Sequence, residues 1–231
     1  MRDLLWPFGY ANLPVEYWGI SALDFRNGSV DTTYLIGKLD FFLGQLGGAY
    51  LTSKHTGEPL LYADGCHIYN QELDIISGSD VLFSGTTSLD CPPYAGVNSS
   101  IFLSTSTDST AHYISYRKTF NFDAPPNVFA DTIGIWNVTL HSAGNYTVQE
   151  SKFPISNDRR AGSLTATSLE LSQGDWWVAT LAAESDGVYI DRIYENGQWE
   201  PTSEYPLPAT YKAVNGSFQT AFSAAGDRFA Y

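Results

Sequence analysis

Charge is scarce in this chain, and basic charge scarcer still. Charged residues make up 16% of 231, and 12 Lys and Arg stand against 25 Asp and Glu, for a formal charge of −13. Nucleic-acid binding draws most of its affinity from Lys and Arg on phosphates, so this balance excludes it as a partner class. Anionic membrane surfaces are disfavoured for the same reason. No apolar run approaches the roughly 18 residues of a membrane-spanning helix, so direct membrane insertion is not expected. The opening stretch, Met1 to Pro7, lacks the apolar core and cleavage site of a signal peptide. If the protein is exported, residue 1 is therefore expected not to be the start of the precursor. Helical periodicity is missing too, apart from a weak stretch from Leu35 to Leu46 that Gly37, Gly44 and the Gly47-Gly48 pair undermine.

Cysteine is nearly absent. Cys66 and Cys91 are the whole inventory, with 24 residues between them. Both lie near loop edges, one after Asp64-Gly65 and the other before Pro92-Pro93, and a disulfide joining them is the expectation. It would stabilise the fold by about 3 kcal/mol in the chain-entropy view. Two buried thiols are the alternative. No Cys-x-x-Cys or Cys/His metal spacing exists, so zinc is not expected, nor any other cofactor.

What the chain has in quantity is aromatic side chains, 15% of residues, with 15 Tyr, 13 Phe and 6 Trp. Sheets favour such residues, and the length suits one large domain with a real core. Strand signals recur throughout. Residues 49–53, 59–63 and 66–69 form a three-strand meander around the turns at His55-Thr56-Gly57-Glu58 and Asp64-Gly65. Residues 100–104 and 112–116 form a hairpin. A long loop containing Pro125-Pro126 then leads to a strand over 133–140 and a turn into Tyr146-Thr147-Val148. A third unit reads 164–171, 176–181, 188–194 and 198–200, with turns at Gln173-Gly174-Asp175, Ser185-Asp186-Gly187 and Glu195-Asn196-Gly197. A fourth opens at 218–223 and 228–231. The strands after each first turn centre on Leu61, Ile114, Trp177 and Phe229, in steps of 53, 63 and 52 residues. Such periods suit four-stranded propeller blades with loop insertions; a repeated meander in a sandwich is the alternative.

Residues with catalytic chemistry are present but not assembled into a motif. His55, His67, His112 and His141 are scattered, and no nucleophile elbow, zinc-protease, Walker or dinucleotide pattern occurs. The carboxylates nearest to one another are Glu184, Asp186 and Asp191 around one turn, with Asp123 and Asp131 flanking the Pro-Pro loop. Glycoside hydrolysis needs two carboxyls across a sugar, and a sialidase needs an arginine cluster as well. Arg159-Arg160 is the sole Arg pair, and Ser185-Asp186-Gly187-Val188-Tyr189 lacks the Thr-Trp ending of a sialidase box. Turn Asp residues ordinarily satisfy nearby backbone N–H groups, so catalytic residues are expected to be none. No Asp-x-Asp-x-Asp calcium loop is present either. Alternation along a strand sends Trp176 and Trp177 to opposite faces, one into the core and one into packing between units.

The strand units also carry a resemblance. Trp6-Pro7-Phe8-Gly9-Tyr10 followed by Gly19 to Ser29, the hairpin Gly57 to Asn70, the pair Leu164-Thr165-Ala166 with Asp175-Trp176-Trp177-Val178-Ala179-Thr180, and the closing Ser223 to Tyr231 stand in order along nearly the whole chain. In this the chain resembles large surface proteins of Bacteroidetes-type bacteria, exported by type IX secretion and built of WD40-like β-propeller repeats. It departs from them in a wider spacing of Tyr10 and Gly19, and in Asp90-Cys91-Pro92-Pro93 where a Ser/Thr-rich stretch is usual. The resemblance implies an all-β propeller, with residues 1–231 an N-terminal portion of about three to four blades in one domain continuing beyond 231. It implies an extracellular or cell-surface location, and O-glycosylation at Thr32, Ser109 and Thr132, each following an Asp. Sequons for N-glycosylation stand at Asn27, Asn98, Asn137, Asn145 and Asn215, of which Asn137 falls mid-strand. The function expected is a non-catalytic binding or scaffold module with a protein or glycan partner, or with the remainder of its own propeller. A carbohydrate-active propeller enzyme and a component of an export or gliding-motility machine are the alternatives.

Overall fold

A computed structural model describes residues 5–10, 19–24, 30–36, 49–53, 55–56, 58–63, 67–79, 82, 100–121, 127–141, 145–160, 164–168, 174–182, 187–207, 221–223 and 228–230. The fold is all-β. Every strand pairs antiparallel with a neighbour, and the chain lays down five sheets in succession. The first contains β1 (Leu5–Tyr10), β2 (Gly19–Asp24) and β3 (Asp31–Ile36). The second contains β4 (Ala49–Thr52), β5 (Pro59–Ala63) and β6 (Ile68–Tyr69), with a single bridge from Tyr69 to Ile75 in place of a fourth strand.

The third sheet is the largest: β7 (Ser100–Ser104), β8 (Thr110–Asn121), β9 (Asn127–Leu140) and β10 (Tyr146–Arg160), in the order β10-β9-β8-β7. The fourth contains β11 (Thr165–Ser168), β12 (Trp176–Leu181) and β13 (Gly187–Ile193), and its outer strand is broken into β14 (Trp199–Glu200) and β15 (Glu204–Pro206), both paired to β13. The fifth holds β16 (Ala221–Phe222) and β17 (Phe229–Ala230).

The strands on Leu61, Ile114, Trp177 and Phe229 are β5, β8, β12 and β17, each the second strand of its sheet. The sequence spacing therefore marks a real structural repeat. The first strands of successive sheets also adjoin one another: β4 meets β7, β7 meets β11, and β11 meets β16.

This arrangement gives each middle sheet two buried faces. From the third sheet, Phe102, Ala111, Tyr113, Trp136 and Val138 pack toward the second sheet's Leu61, Ala63 and Ile68. The alternate residues Leu103, Ile114, Tyr116, Ile133 and Ile135 pack toward Trp176, Val178 and Ile193 of the fourth. The fourth repeats the device, turning Ala179, Leu181 and Val188 toward Phe222 and Phe229. Burial on both faces is why these strands read as apolar throughout rather than alternating. A fully buried side chain such as Ile135 stabilises the fold by about 1.5–3 kcal/mol. Trp136 folds its ring over Gly134 two residues back, where a Cβ would collide with it.

Two expectations about loops are corrected. Residues 117–121 and 127–132 are not loop but the continuation of β8 and β9, which confines the Pro-Pro loop to 122–126, outside the described residues. The strand expected at Tyr146 to Val148 runs on to Arg160, through Pro154 and a bulge between Pro154 and Arg159. Cys66 and Cys91 both lie outside the described residues, as do Glu184, Asp186, Asp123 and the turns at 64–65 and 185–186.

Candidate functional site

In an antiparallel meander the first and third connections of every sheet emerge at the same end. At that end the turns of three successive sheets are hydrogen-bonded into one rim. The turn of the second sheet is closed by the Ser53 amide donating to the Glu58 carbonyl at 2.8 Å. The Ser53 hydroxyl accepts from the amides of His55 and Thr56, both at 3.1 Å, and itself donates to the Asp108 carboxylate at 2.6 Å. Asp108 belongs to the β7–β8 turn of the third sheet. There Thr105 Oγ1 donates within its own turn, lying 3.1 Å from the Thr107 carbonyl and 3.0 Å from that of Thr110.

The same turn reaches the fourth sheet. The Ser106 amide donates to Glu195 Oε1 at 3.2 Å, and the Ser106 hydroxyl donates to that oxygen as well. Glu195 begins the β13–β14 turn, where Gly197 holds φ +80°. A Cβ at Gly197 would also run into the Asn137 amide, so glycine is required twice over. Every polar group of Glu195 is engaged. Its amide donates to Asp175 Oδ1 at 2.9 Å, and Asp175 Oδ2 accepts from Arg192 at 2.6 Å. Its carbonyl accepts from His112 Nε2 at 2.8 Å.

His112 is the hinge pin of this clasp. It stands in β8 with 3% of its surface exposed, and its other ring nitrogen lies 2.7 Å from the Asn137 side chain. A carbonyl only accepts, so Nε2 carries the proton toward Glu195, and a neutral ring then takes an N–H from the Asn137 amide at Nδ1. Burial holds the His112 pKa below its ordinary value, against the opposing pull of Asn137 and Glu195. The rim surface itself is hydroxyl- and amide-rich, with Thr56, Ser106, Thr107, Ser109, Asn196 and Gln198 exposed.

The other end of the same junction is built from charge. Arg159, at the end of β10, inserts its guanidinium into the fourth sheet and grips the Asp191 carboxylate with both terminal nitrogens, Nη2 donating to Oδ1 at 3.2 Å. Arg159 is 4% exposed and Asp191 not at all. The Arg159 guanidinium lies 4.3 Å from the Tyr189 ring centroid and 5.9 Å from that of Trp199. Burial opposes its charge, but Tyr116 and Asp191 around it hold its pKa above the ordinary value. Burial likewise pushes the Tyr116 phenol up to about 12. Asp191 Oδ1 also accepts from the Thr202 amide at 3.1 Å, where Pro201 interrupts the outer strand and supplies no N–H.

Asp191 is thus separated in role from the turn carboxylates it neighbours in sequence: its oxygens are taken by Arg159 and Thr202. His55 and His141 are exposed on turns, and His67 lies 3.4 Å from the Tyr69 hydroxyl. Trp176 and Trp177 do face opposite ways. Trp176 is buried with Nε1 donating to the Ser104 carbonyl at 2.9 Å, while Trp177 is half-buried with Arg192 at 6.0 Å. Among the described residues, no group of three His, Cys, Asp or Glu is placed to hold a metal ion.

Of the three Asp-preceded hydroxyls, Ser109 is exposed at the tip of the β7–β8 turn, its Oγ 2.8 Å from that of Thr107. Thr132 is 8% exposed within β9, between Arg117 and Pro154 in the ladder, which leaves no room for a sugar. Thr32 pairs with Leu23 in the first sheet, and its side chain lies outside the described residues. Asn137 is mid-strand and held by His112. The linkage of Ser53, Ser106 and Glu195 across sheets was not foreseen from sequence. The signal for it was the meander itself, which sends alternate turns to one end. No protein-family model, curated protein or solved structure matches the chain.

Proposed function

We propose that this chain forms consecutive blades of a β-propeller and acts as a non-catalytic binding or scaffold module at a bacterial cell surface, holding a protein or glycan partner on its rim of turns. One observation carries the reading. Side-chain hydrogen bonds from Ser53 to Asp108 and from Ser106 to Glu195 join the turns of three successive sheets into a single surface. Connections held on a rigid sheet scaffold are where binding concentrates. The propeller geometry is supported by the repeat of second strands and by the adjoining first strands, which in a propeller line the central axis. The extracellular setting rests on the motifs of the sequence and on the exposed Ser109, where an attached sugar would meet no neighbouring strand.

The test is capture from a glycan array and from surface-protein extracts. Thr56→Arg, Ser109→Arg and Gln198→Arg each place a long cation on one turn of the rim, and Ser203→Arg places one on the exposed stretch between β14 and β15. Capture is expected to fall by about tenfold or more in the rim variants and to hold in Ser203→Arg. Equal loss in all four, or no capture by the unaltered protein, would defeat the proposal.

A further inference from the structure

The outermost strand of the third sheet is 15 residues long and pairs on one side only among the described residues, with β9. The direction of its backbone groups follows from the turn. The His141 amide donates to the Asn145 carbonyl at 2.8 Å, and the Leu140 amide donates the other way, to Ser109 of the β7–β8 turn, at 2.7 Å. Alternation then turns Asn145, Thr147, Gln149, Ser151 and Phe153 toward β9. Tyr146, Val148, Glu150, Lys152 and Pro154 direct their backbone groups to the open edge. Pro154 stands at an outward position, where its missing N–H removes no bond from the existing ladder. From Tyr146 to Pro154 the register is unbroken, and the bulge after Pro154 ends it.

Unpaired edges template the addition of another strand, and the side chains decide which strand fits. Glu150 and Lys152 are exposed and lie 3.0 Å apart within the strand. A parallel in-register partner would set Glu150 against Glu150. An antiparallel partner centred on Glu150 or on Lys152 would oppose like charges as well. An antiparallel twofold centred on Ser151 instead sets each Glu150 opposite a Lys152 of the other copy, twice, at positions that exchange backbone hydrogen bonds. It also pairs Val148 with Pro154 and Gln149 with Phe153.

We infer that β10 is a self-association edge, through which a second copy of this chain pairs antiparallel about Ser151. Such a contact is isologous and closes on itself. About seven residues per strand bury less than the area of a standard interface, so the association is weak and concentration-dependent.

Light scattering across about a hundredfold range of concentration reads the stoichiometry of the whole chain. The unaltered protein is expected to shift from monomer to dimer. Lys152→Glu and Glu150→Lys alone are each expected to hold it monomeric, and the double exchange Glu150→Lys/Lys152→Glu to restore the dimer. Ser151→Cys places two thiols face to face across the twofold at a non-hydrogen-bonded pair, about 4.5 Å between Cα atoms. It is expected to oxidise to a covalent dimer much faster than Gln149→Cys, whose cysteines would each face Phe153. A monomer at every concentration, a dimer indifferent to both single exchanges, or equal cross-linking of the two cysteine variants would overturn the inference. So would a β10 edge that takes an added peptide of another sequence in preference to its own.

Discussion

The two ends of the junction between the third and fourth sheets solve one problem by opposite means. Away from the rim, Arg159 carries a full charge across the gap and meets Asp191 in a place closed to water, ringed by Tyr189, Trp199 and Tyr116. At the rim, His112 crosses as a buried ring with its pKa held down, and Glu195 meets Ser106 at the surface. The buried pair is all or nothing, because either partner alone is a charge stranded without solvent. The rim clasp is a set of separate bonds, several within reach of water that can replace them. A junction built this way is locked at one end and adjustable at the other, and the adjustable end is the one that carries the exposed turns.

The sharpest way to break this contrast is Asp191→Ala, which strands the Arg159 guanidinium. A loss of about 3–5 kcal/mol is expected from urea unfolding. Arg159→Met/Asp191→Leu, which removes both charges, is expected to recover most of it. Recovery would show that the penalty belongs to the unpaired ion rather than to lost packing. Gly197→Ala comes next. It combines a left-handed φ with the Asn137 collision and is expected to cost about 1–3 kcal/mol in the same measurement.

The pH dependence separates the two ends further. His112 has a folded pKa below its ordinary value of 6.5, so the unfolded chain takes up the proton first as pH falls. Its stabilising contribution is full above about pH 6.5 and declines as pH drops from there through the folded pKa. The melting temperature of the unaltered protein is expected to fall over that window, and that of His112→Gln to fall less. A parallel decline in both would remove His112 from the account. The smallest effect belongs to Ser106→Ala, about 0.5–1 kcal/mol by urea unfolding, since the Glu195 carboxylate it leaves is exposed and water takes its place.

Much of the fold was legible before any coordinates. Apolar strands bounded by Gly, Asp and Asn turns placed β5, β8, β12 and β13 closely, and the steps between Leu61, Ile114, Trp177 and Phe229 identified second strands of successive sheets. The misreadings have physical causes. Pro125-Pro126 signals a loop, but it says nothing about how far the strands on either side extend. Pro154 reads as a strand breaker, yet at an outward position of an edge strand it breaks nothing. Asp191 sits five residues from Asp186 in sequence and was grouped with it as a turn carboxylate, whereas the alternation of β13 turns it inward. Its partner, Arg159, lies 32 residues away, a separation that no local pattern reveals.

The site was less legible than the fold, for a related reason. Ser53, Asp108, Ser106 and Glu195 are ordinary turn residues in their own segments, and each satisfies local rules of turn chemistry. Their meaning comes from the packing of one sheet against the next, and hydrophobic patterning encodes that packing only as two buried faces.

One consequence concerns mechanical load. The chain leaves the third sheet at Arg160 and enters the fourth at Thr165, just beyond the residue that grips Asp191. Tension arriving along the chain from the fourth sheet would otherwise peel β10 from β9 one bond at a time, the weakest way to load a ladder. Arg159 stands before that zipper like a cleat before a seam. Force must first draw a paired ion out of a dry, aromatic-lined socket, so the two sheets yield together or not at all.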